Sequence, residues 1–372
     1  MNKNDERLLS LDVLRGFDLM LLVGLQPVIR AILIQLDCEA LNNTLLYQLD
    51  HAEWEGMRVW DMVMPLFLFM SGVTMPYSLP KYKRENGNTR VWTRVIKRFL
   101  LLFSLGIVVQ GNVLSLNPDR IYLYSNTLQA IAVGYLLTVP LVLYLKPKQQ
   151  FFTIAALLVI YSVPMHLFGD WSAQGNLACI IDKAVLGRFR DGSTLLADGT
   201  VEFAAWYDYT WLWSSLTFCC TVALGSIAGQ MTKNGNENRK GTAKKLLITG
   251  VILVVAGLLC SLYQPIIKRI WSASFTLYSG GWCYILLALF YWWIDVKKHN
   301  KGLEWLQYYG CNAITAYLIG MLINFRGIAS SLLYGTAQYL GDWYQPLLTL
   351  CNSVMIFFIL KIMYKNRIFL KV

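Results

Sequence analysis

A histidine stands among charged residues just before an apolar stretch of the chain. His51 is one of three histidines in 372 residues, and an imidazole can act as a general base because it titrates near neutral pH. A carboxylate within reach of the ring would fix its tautomer, and Asp50, Glu53 and Asp61 are all candidates. We expect a stripe of His51, Glu55 and Arg58, with Trp54 and Asp61 beside it, on a helix that continues into the apolar stretch. The alternative is an interfacial histidine that a neighbouring carboxylate satisfies, without a catalytic role.

The first apolar stretch also carries ionisable residues. At 100° per residue, Asp12, Arg15 and Gln26 lie within a narrow stripe of a helix. Ionisable groups inside a membrane helix are costly unless they are paired and face the protein interior, so this stripe is a candidate pocket wall. A structural Asp12–Arg15 pair that docks the helix explains the two charges equally well, whereas Gln26 favours a role in the pocket.

Two later segments place polar groups in apolar surroundings. Lys268 precedes Trp271 by three residues and can pair with a carboxylate or polarise a carbonyl group. A cationic side chain that snorkels to the membrane interface beside a tryptophan is the alternative, which the spacing favours. Asn312 stands among apolar residues and needs a partner, either another helix or the amide or hydroxyl group of a ligand. Gln129 is a similar, weaker case.

The composition indicates that membrane helices position these residues. The chain is 56% hydrophobic and 15% charged, and a soluble protein of this length cannot bury that much apolar surface. About 20 apolar residues cross a bilayer as a helix. The sequence therefore predicts an all-α, polytopic membrane helix bundle of about ten transmembrane helices, at 12–34, 58–79, 96–116, 121–145, 150–168, 206–230, 246–266, 273–295, 305–324 and 345–364. We expect a short helix near 326–343 to lie in the membrane interface or to re-enter it.

The formal net charge of +11 does not indicate a nucleic-acid partner, because the basic residues are concentrated in the loops on one side of the membrane. With the N-terminus in the cytoplasm, most of the 33 lysines and arginines fall in loops on that side. This positive-inside pattern places both termini in the cytoplasm. Because the chain is compact and its loops are short, we expect an integral protein of a bacterial inner membrane, surrounded by the lipid bilayer.

One long connection lies between the fifth and sixth predicted spans. Residues 166–205 are rich in Gly, Asp and Ser, and they either shape a binding site or form a passive cap. The whole chain, residues 1–372, is predicted to be one membrane domain with this insertion, without the paired broken spans typical of transporters.

The cysteine and histidine spacing predicts no metal site, and a disulfide between Cys38 and Cys179 is left open.

Six ordered motifs resemble those of a known enzyme family. They read Ser10-Leu-Asp12-x-x-Arg15-Gly16, His51-x-x-Trp54-x-Gly56, Asp61-x-x-x-Pro65-x-Phe67-x-Phe69-x-x-Gly72, Leu128-Gln129-x-Ile131-Ala132, Pro265-x-x-Lys268-x-x-Trp271-x-x-Ser274-Phe275 and Gly310-x-Asn312-Ala313. In this order they resemble the membrane acyltransferases typified by heparan-alpha-glucosaminide N-acetyltransferase and its bacterial relatives. The resemblance covers essentially the whole chain.

The resemblance implies transfer of an acetyl group from cytosolic acetyl-CoA to the amine of a terminal glucosamine across the membrane. It implies that His51 is catalytic, and that Gln26 replaces an asparagine thought to assist catalysis. The candidate catalytic residues are His51, Gln26 and Asp61. The residues expected to line the substrate and acetyl-CoA pocket are Asp12, Arg15, Trp54, Arg58, Gln129, Lys268, Trp271, Ser274 and Asn312.

Departures from the family pattern leave the acceptor open. A family arginine is Ala130 here, and the asparagine before the family's lysine is Ile267. The acceptor is therefore either an amino sugar or, through a hydroxyl group, another periplasmic glycan. His51 either takes a proton from the acceptor or carries the acetyl group itself.

Other expectations concern partners. The basic residues that could meet the phosphates of acetyl-CoA are Lys81, Lys83, Arg84, Arg94, Lys97 and Arg98, although membrane topology alone explains them equally well. A homodimer is left open. A transporter without transferase activity and a noncatalytic membrane scaffold are the alternatives to an enzyme.

Overall fold

The protein is all-α, as the sequence predicts. The computed structural model describes residues 8–370, apart from the side chain of Asn236, and the chain is 76% helical. In this part of the chain the α-helices are α1 (Leu9–Met20), α2 (Gln26–Leu36), α3 (Glu39–Leu41), α4 (Tyr47–Leu49), α5 (Val63–Val73), α6 (Met75–Gln110), α7 (Thr127–Tyr144), α8 (Pro147–Phe168), α9 (Leu177–Leu186), α10 (Ser215–Asn234), α11 (Arg239–Cys260), α12 (Ala273–Phe290), α13 (Glu304–Cys311), α14 (Ala313–Leu322), α15 (Phe325–Leu332), α16 (Ala337–Leu340) and α17 (Tyr344–Lys365). Two short strands, β1 (Ser193–Leu195) and β2 (Val201–Phe203), form a hairpin.

Several helical segments are long and apolar enough to cross a membrane, so the chain is an integral membrane protein. Seven such segments occur among residues 8–370, namely Leu9–Leu36, Thr127–Tyr144, Pro147–Phe168, Ser215–Asn234, Arg239–Cys260, Ala273–Val296 and Tyr334–Lys365. The pair α14 and α15, bent by 60°, makes an eighth if it is counted as one span. The predicted count of about ten is not confirmed.

Three predicted spans lie outside this set, and two of them are interrupted. The stretch 58–79 is divided between a 3₁₀ turn at Val59–Met62, α5 and the first residues of α6. The stretch 96–116 is helical as far as Gln110, in the part of α6 that follows a bend at Gly87, which has φ +79°. The stretch 305–324 is broken at Asn312, between α13 and α14. A pattern of apolar residues does not record such breaks, because irregular backbone is tolerated at membrane depth where protein covers it.

The described chain divides into two compact units. The first unit comprises residues 8–51, 58–63 and 289–370, and the second comprises residues 52–57 and 64–288.

Glycines allow helices to approach closely within each unit. In the first unit, a Cβ atom at Gly16 would lie 1.9 Å from the carbonyl oxygen of Leu306, and one at Gly310 would lie 1.9 Å from that of Asp12. In the second unit, a Cβ atom at Gly72 would lie 1.9 Å from a carbonyl oxygen of α10. Small residues at helix crossings are typical of membrane proteins, in which close packing replaces the hydrophobic effect between helices.

A π turn separates α1 from α2. It spans Leu21–Leu25 and is wider than an α-helical turn, so the spacing of 100° per residue does not hold across it. The stripe predicted for Asp12, Arg15 and Gln26 crosses this turn and stays a prediction, and all three residues belong to the first unit.

The insertion at residues 166–205 is folded. It contains α9 and the β1–β2 hairpin, in which Ser193 is opposite Phe203. Gly192 and Gly199 have φ +73° and +83°, conformations that glycine adopts without steric cost in tight turns. Cys38 is exposed and Cys179 is buried, and both are free thiols.

A buried carboxylate joins the insertion to the start of α10. Asp182 accepts hydrogen bonds from the backbone N–H groups of Trp211 at 2.7 Å and Leu212 at 3.0 Å. Burial raises the pKa of Asp182 to about 6, although these hydrogen bonds and the nearby Arg190 act in the opposite direction. Ionisation of Asp182 is therefore costly in the folded insertion.

Candidate active site

His51 and Asp61 form the central contact of the candidate site. The Nδ1 atom of His51 lies 2.7 Å from Oδ1 of Asp61. Asp61 is buried, whereas the His51 side chain is 42% exposed. Because an ionised carboxylate can only accept hydrogen bonds, this contact places the proton on Nδ1 and leaves the lone pair on Nε2. Of the three candidate carboxylates, Asp61 is thus the one that orients the ring.

Asp61 is held by its own turn, Val59–Met62. Its Oδ2 atom accepts a hydrogen bond from the backbone N–H of Arg58 at 3.0 Å, and its own N–H donates to the carbonyl oxygen of Arg58 at 3.0 Å. The guanidinium of Arg58 lies 3.8 Å from the ring centre of Tyr47. Both oxygens of the Asp61 carboxylate are therefore engaged, and Arg58 supports it through its backbone.

The prediction of one helix through His51, Arg58 and Asp61 is wrong. Residues 51–58 form an irregular loop, and only the 3₁₀ turn that follows is helical. Gly56 in this loop has φ +99°, a conformation that glycine adopts without steric cost. Its N–H donates to the carbonyl oxygen of Ile266 at 2.7 Å. The shape of the loop, and not helical spacing, brings Asp61 to the imidazole.

Two side chains of α2 hold the residues that precede His51. Nε2 of Gln26 donates to the carbonyl oxygen of Leu49 at 2.9 Å, and Nε of Arg30 donates to Oδ1 of Asp50 at 2.9 Å. Gln26 and Arg30 are four residues apart, so they lie on one face of the helix. Gln26 uses one of its two amide hydrogens in this contact. The arrangement makes Gln26 a positioning residue for the His51 loop.

Trp54 and Gln129 make contacts within the second unit. Nε1 of Trp54 donates to the carbonyl oxygen of Trp171 at 2.7 Å. The buried Gln129 caps α7, because its Oε1 atom accepts from the N–H groups of Ser125 at 2.9 Å and Asn126 at 3.1 Å. Both residues support the local backbone, and their place in an acetyl-CoA pocket stays a prediction.

The segment that carries Lys268 is buried. Lys268 is only 8% exposed, so the interpretation as a snorkelling interfacial anchor is wrong for this residue. Nε1 of the buried Trp271 donates to Oγ1 of Thr221 at 3.0 Å. Oγ of Ser274 donates to the carbonyl oxygen of Pro265 at 2.8 Å. Trp271 and Ser274 thus fix the backbone on both sides of the segment.

The remaining predicted residues belong to the first unit. Asp12 and Arg15 are half-buried in α1, and Asp12 borders a cleft of about 590 Å³ together with Glu304. Asn312 is buried, and its Nδ2 donates to the carbonyl oxygen of Tyr308 at 3.4 Å. Its Oδ1 atom has no hydrogen-bond partner among the residues that the structure describes. The predicted need for a partner is therefore met on one side of this amide only.

Two residues near the candidate site were not predicted from the sequence. Arg30 pairs with Asp50, as described above, and Oε1 of Gln48 accepts from the backbone N–H of Val59 at 3.1 Å. Neither contact could be predicted from neighbouring residues, because the two partners are 20 residues apart in the first contact and 11 in the second.

Within residues 8–370, no group of three or more His, Cys, Asp or Glu side chains is arranged to hold a metal ion.

Known proteins share this sequence pattern. The family model described as "Heparan-alpha-glucosaminide N-acetyltransferase, catalytic" matches residues 7–257. The chain belongs to this family. The mouse heparan-alpha-glucosaminide N-acetyltransferase is 22% identical in an alignment of 322 residues that covers 72% of this chain and 48% of the mouse protein. The chain therefore spans about half the length of the curated relative that it matches.

The family match covers only part of the predicted site. The matched residues include His51 and Asp61, whereas Lys268 and Asn312 lie beyond residue 257. The assignments of these two later residues rest on their motifs and on their burial.

Proposed function

We propose that the protein is a membrane acetyltransferase that moves an acetyl group from acetyl-CoA to the amine of a terminal, glucosamine-like amino sugar. Family membership supports the class of reaction. The observation that carries the assignment of the base is the 2.7 Å contact between Nδ1 of His51 and the buried Asp61.

In the proposed mechanism, Nε2 of His51 takes a proton from the acceptor amine as its nitrogen attacks the acetyl carbon. The attack forms a C–N bond and places negative charge on the carbonyl oxygen. Collapse of this intermediate breaks the C–S bond, and the CoA sulfur takes the proton from His51. Asp61 stabilises the imidazolium that exists between the two proton transfers.

The charge on the carbonyl oxygen requires hydrogen-bond donors. The amide groups of Gln26 and Asn312 are our candidates, because both belong to the first unit together with His51, and both are buried. Gln26 retains one amide hydrogen beyond its bond to Leu49. The nine pocket residues predicted from the sequence remain part of this proposal.

We further propose that acetyl-CoA enters from the cytoplasm and that the acceptor lies on the outer face of a bacterial inner membrane. The distribution of lysine and arginine along the loops supports this orientation. Both termini would then be cytoplasmic.

The test is acetyl transfer from radiolabelled acetyl-CoA by the purified protein. The acceptor panel contains glucosamine-terminated oligosaccharides, their N-acetylated forms and glycans that offer only hydroxyl groups. We expect label in the first group alone, in an alkali-stable amide. Label in the hydroxyl-only glycans would assign O-acyl transfer instead. Absence of both products, with acetyl-CoA bound or unbound, would refute the proposal.

The same preparation separates the two chemical routes. Direct transfer predicts that no label stays on the protein when acetyl-CoA is added without acceptor. Label retained on wild type but lost in His51→Ala would show that His51 carries the acetyl group.

A further inference from the structure

Residues 81–98, which we call the basic corner, concentrate positive charge beside a sharp bend. The cations are Lys81, Lys83, Arg84, Arg90, Arg94, Lys97 and Arg98, and Glu85 is the one carboxylate among them. The chain turns back on itself at the bend at Gly87, and the guanidinium of Arg94 therefore lies 4.7 Å from the ring centre of Tyr82. The two halves of α6 therefore lie beside each other at this corner.

Aromatic contacts join the basic corner to the end of α7. The ammonium of Lys83 lies 4.4 Å from the ring centre of Tyr144. The hydroxyl of Tyr144 donates to Oδ1 of Asn88 at 2.9 Å and accepts from Nε1 of Trp92 at 3.2 Å. These contacts hold the cation against the last residue of a membrane-spanning helix.

Three cations of the basic corner have no carboxylate partner among residues 8–370. Within the described part of the chain, no carboxylate forms an ion pair with Lys83, Arg84 or Lys97. A cluster of this kind attracts anionic groups at a membrane surface, and each cation adds to the affinity.

Two cavities at the corner combine these cations with aliphatic walls. A cleft of about 350 Å³ is lined by Pro80, Lys83, Arg84, Val142 and Leu143. A groove of about 590 Å³ is lined by Thr93, Ile96, Lys97, Leu100, Leu101 and Ser104. Membrane topology explains cations at a helix end, but it does not require an aliphatic cavity beside them.

We propose that the basic corner is a binding site for an anionic phospholipid. Lys83 and Arg84 bind the phosphodiester of the headgroup, and an acyl chain lies against Val142 and Leu143. In the neighbouring groove, Lys97 has the same role for a phosphate above the exposed Leu100. An amphiphile with one anionic end matches the cleft at Lys83 and Arg84 better than a nucleotide does, because the other lining side chains of this cleft offer no hydrogen-bonding groups.

The test measures binding of fluorescent phosphatidylglycerol and phosphatidylcholine to the full chain in detergent. We expect wild type to prefer phosphatidylglycerol by at least about tenfold, because only that lipid carries a net negative charge. Lys83→Gln with Arg84→Gln should weaken phosphatidylglycerol binding by about 30-fold. The matched control, Lys244→Gln with Lys245→Gln in α11, removes the same charge from exposed positions outside both cavities and should change binding less than about threefold.

Three results would overturn the site. They are equal binding of the two lipids, an equal loss in the control pair, and displacement of phosphatidylglycerol by equimolar CoA, which would assign the corner to the acetyl donor. If the double variant does not fold, the swap Lys83→Arg with Arg84→Lys keeps the charge and should retain binding, whereas Lys97→Gln alone should lower it by about fivefold. The proposal would also be refuted if the charge-preserving swap lost binding and Lys97→Gln left binding unchanged.

Discussion

Replacement of Asp61 by asparagine tests the proposed tautomer of His51 with almost no change of volume. Oδ1 of Asp61 faces Nδ1 of His51 at 2.7 Å, and Oδ2 faces the backbone N–H of Arg58 at 3.0 Å. A carboxylate accepts on both sides, whereas an amide accepts on one and donates on the other. The two orientations of the new amide therefore fail for different reasons.

In one orientation the amide oxygen keeps the bond to Arg58, and its NH₂ group donates to Nδ1 of His51. The imidazole proton then moves to Nε2, which can no longer accept a proton. In the other orientation the NH₂ group faces the N–H of Arg58, which leaves buried donors unpaired at a cost of about 1–3 kcal/mol. We expect the first orientation and a loss of about 10²- to 10⁴-fold in kcat, equivalent to about 3–5 kcal/mol.

The assay is the initial rate of acetyl transfer from labelled acetyl-CoA, with kcat and KM determined separately. KM for acetyl-CoA should change by less than about threefold, because the substitution leaves donor binding intact. Asp50→Asn is the matched control, since Asp50 pairs with Arg30 at the exposed surface, and such pairs contribute about 0–1 kcal/mol. If Asp61→Asn kept more than about a third of wild-type kcat, the assigned tautomer would be wrong.

Three further predictions concern positioning, packing and pH. Gln26→Leu removes the hydrogen bond to Leu49, worth about 1 kcal/mol, and also the amide hydrogen proposed for the oxyanion. We expect kcat to fall at least about tenfold with KM for acetyl-CoA unchanged, and an unaltered kcat would argue against both roles. Gly310→Ala places a Cβ atom 1.9 Å from a carbonyl oxygen of α1 and should destabilise the protein by at least about 2 kcal/mol in detergent unfolding, whereas Gly335→Ala, with no atom within 4 Å, should be neutral; equal effects would contradict this account. Burial raises the pKa of Asp182 to about 6, so the folded insertion binds that proton more tightly than the unfolded chain. Its contribution to stability is complete below pH 3.8 and is lost as pH rises through about 6. Proteolysis of the insertion should therefore accelerate between pH 5 and about 7.5 in wild type but not in Asp182→Asn, and parallel pH profiles would exclude this carboxyl group as the cause.

The apolar pattern predicted where most membrane helices lie, but not how their backbones are broken. Seven predicted spans correspond to segments of sufficient length and hydrophobicity. The π turn at Leu21–Leu25 changes the helix geometry without changing the hydrophobicity of the residues, so the apolar pattern does not record it. The bend at Gly87 lies in the polar sequence Asn86-Gly87-Asn88, which is typical of a turn.

The candidate site could likewise be predicted from the sequence only in part. His51 and its possible carboxylates were evident from residue types, but the choice of Asp61 required the loop at residues 51–58. Gln129 did carry a local signal, because Asn126 followed by a glutamine three residues later is a known helix-capping pattern. The burial of Lys268 carried no such signal, since its position beside Trp271 suits an interfacial residue equally well.

The most direct test of the proposed chemistry is single-turnover acetyl transfer by His51→Ala. The reaction uses labelled acetyl-CoA with a glucosamine-terminated acceptor, and binding of acetyl-CoA is measured on the same sample. A base at Nε2 of His51 predicts a loss of at least about 100-fold in the rate of transfer, with acetyl-CoA still bound and the protein still folded. Transfer at a rate close to that of wild type would contradict the assignment of His51 as the catalytic base.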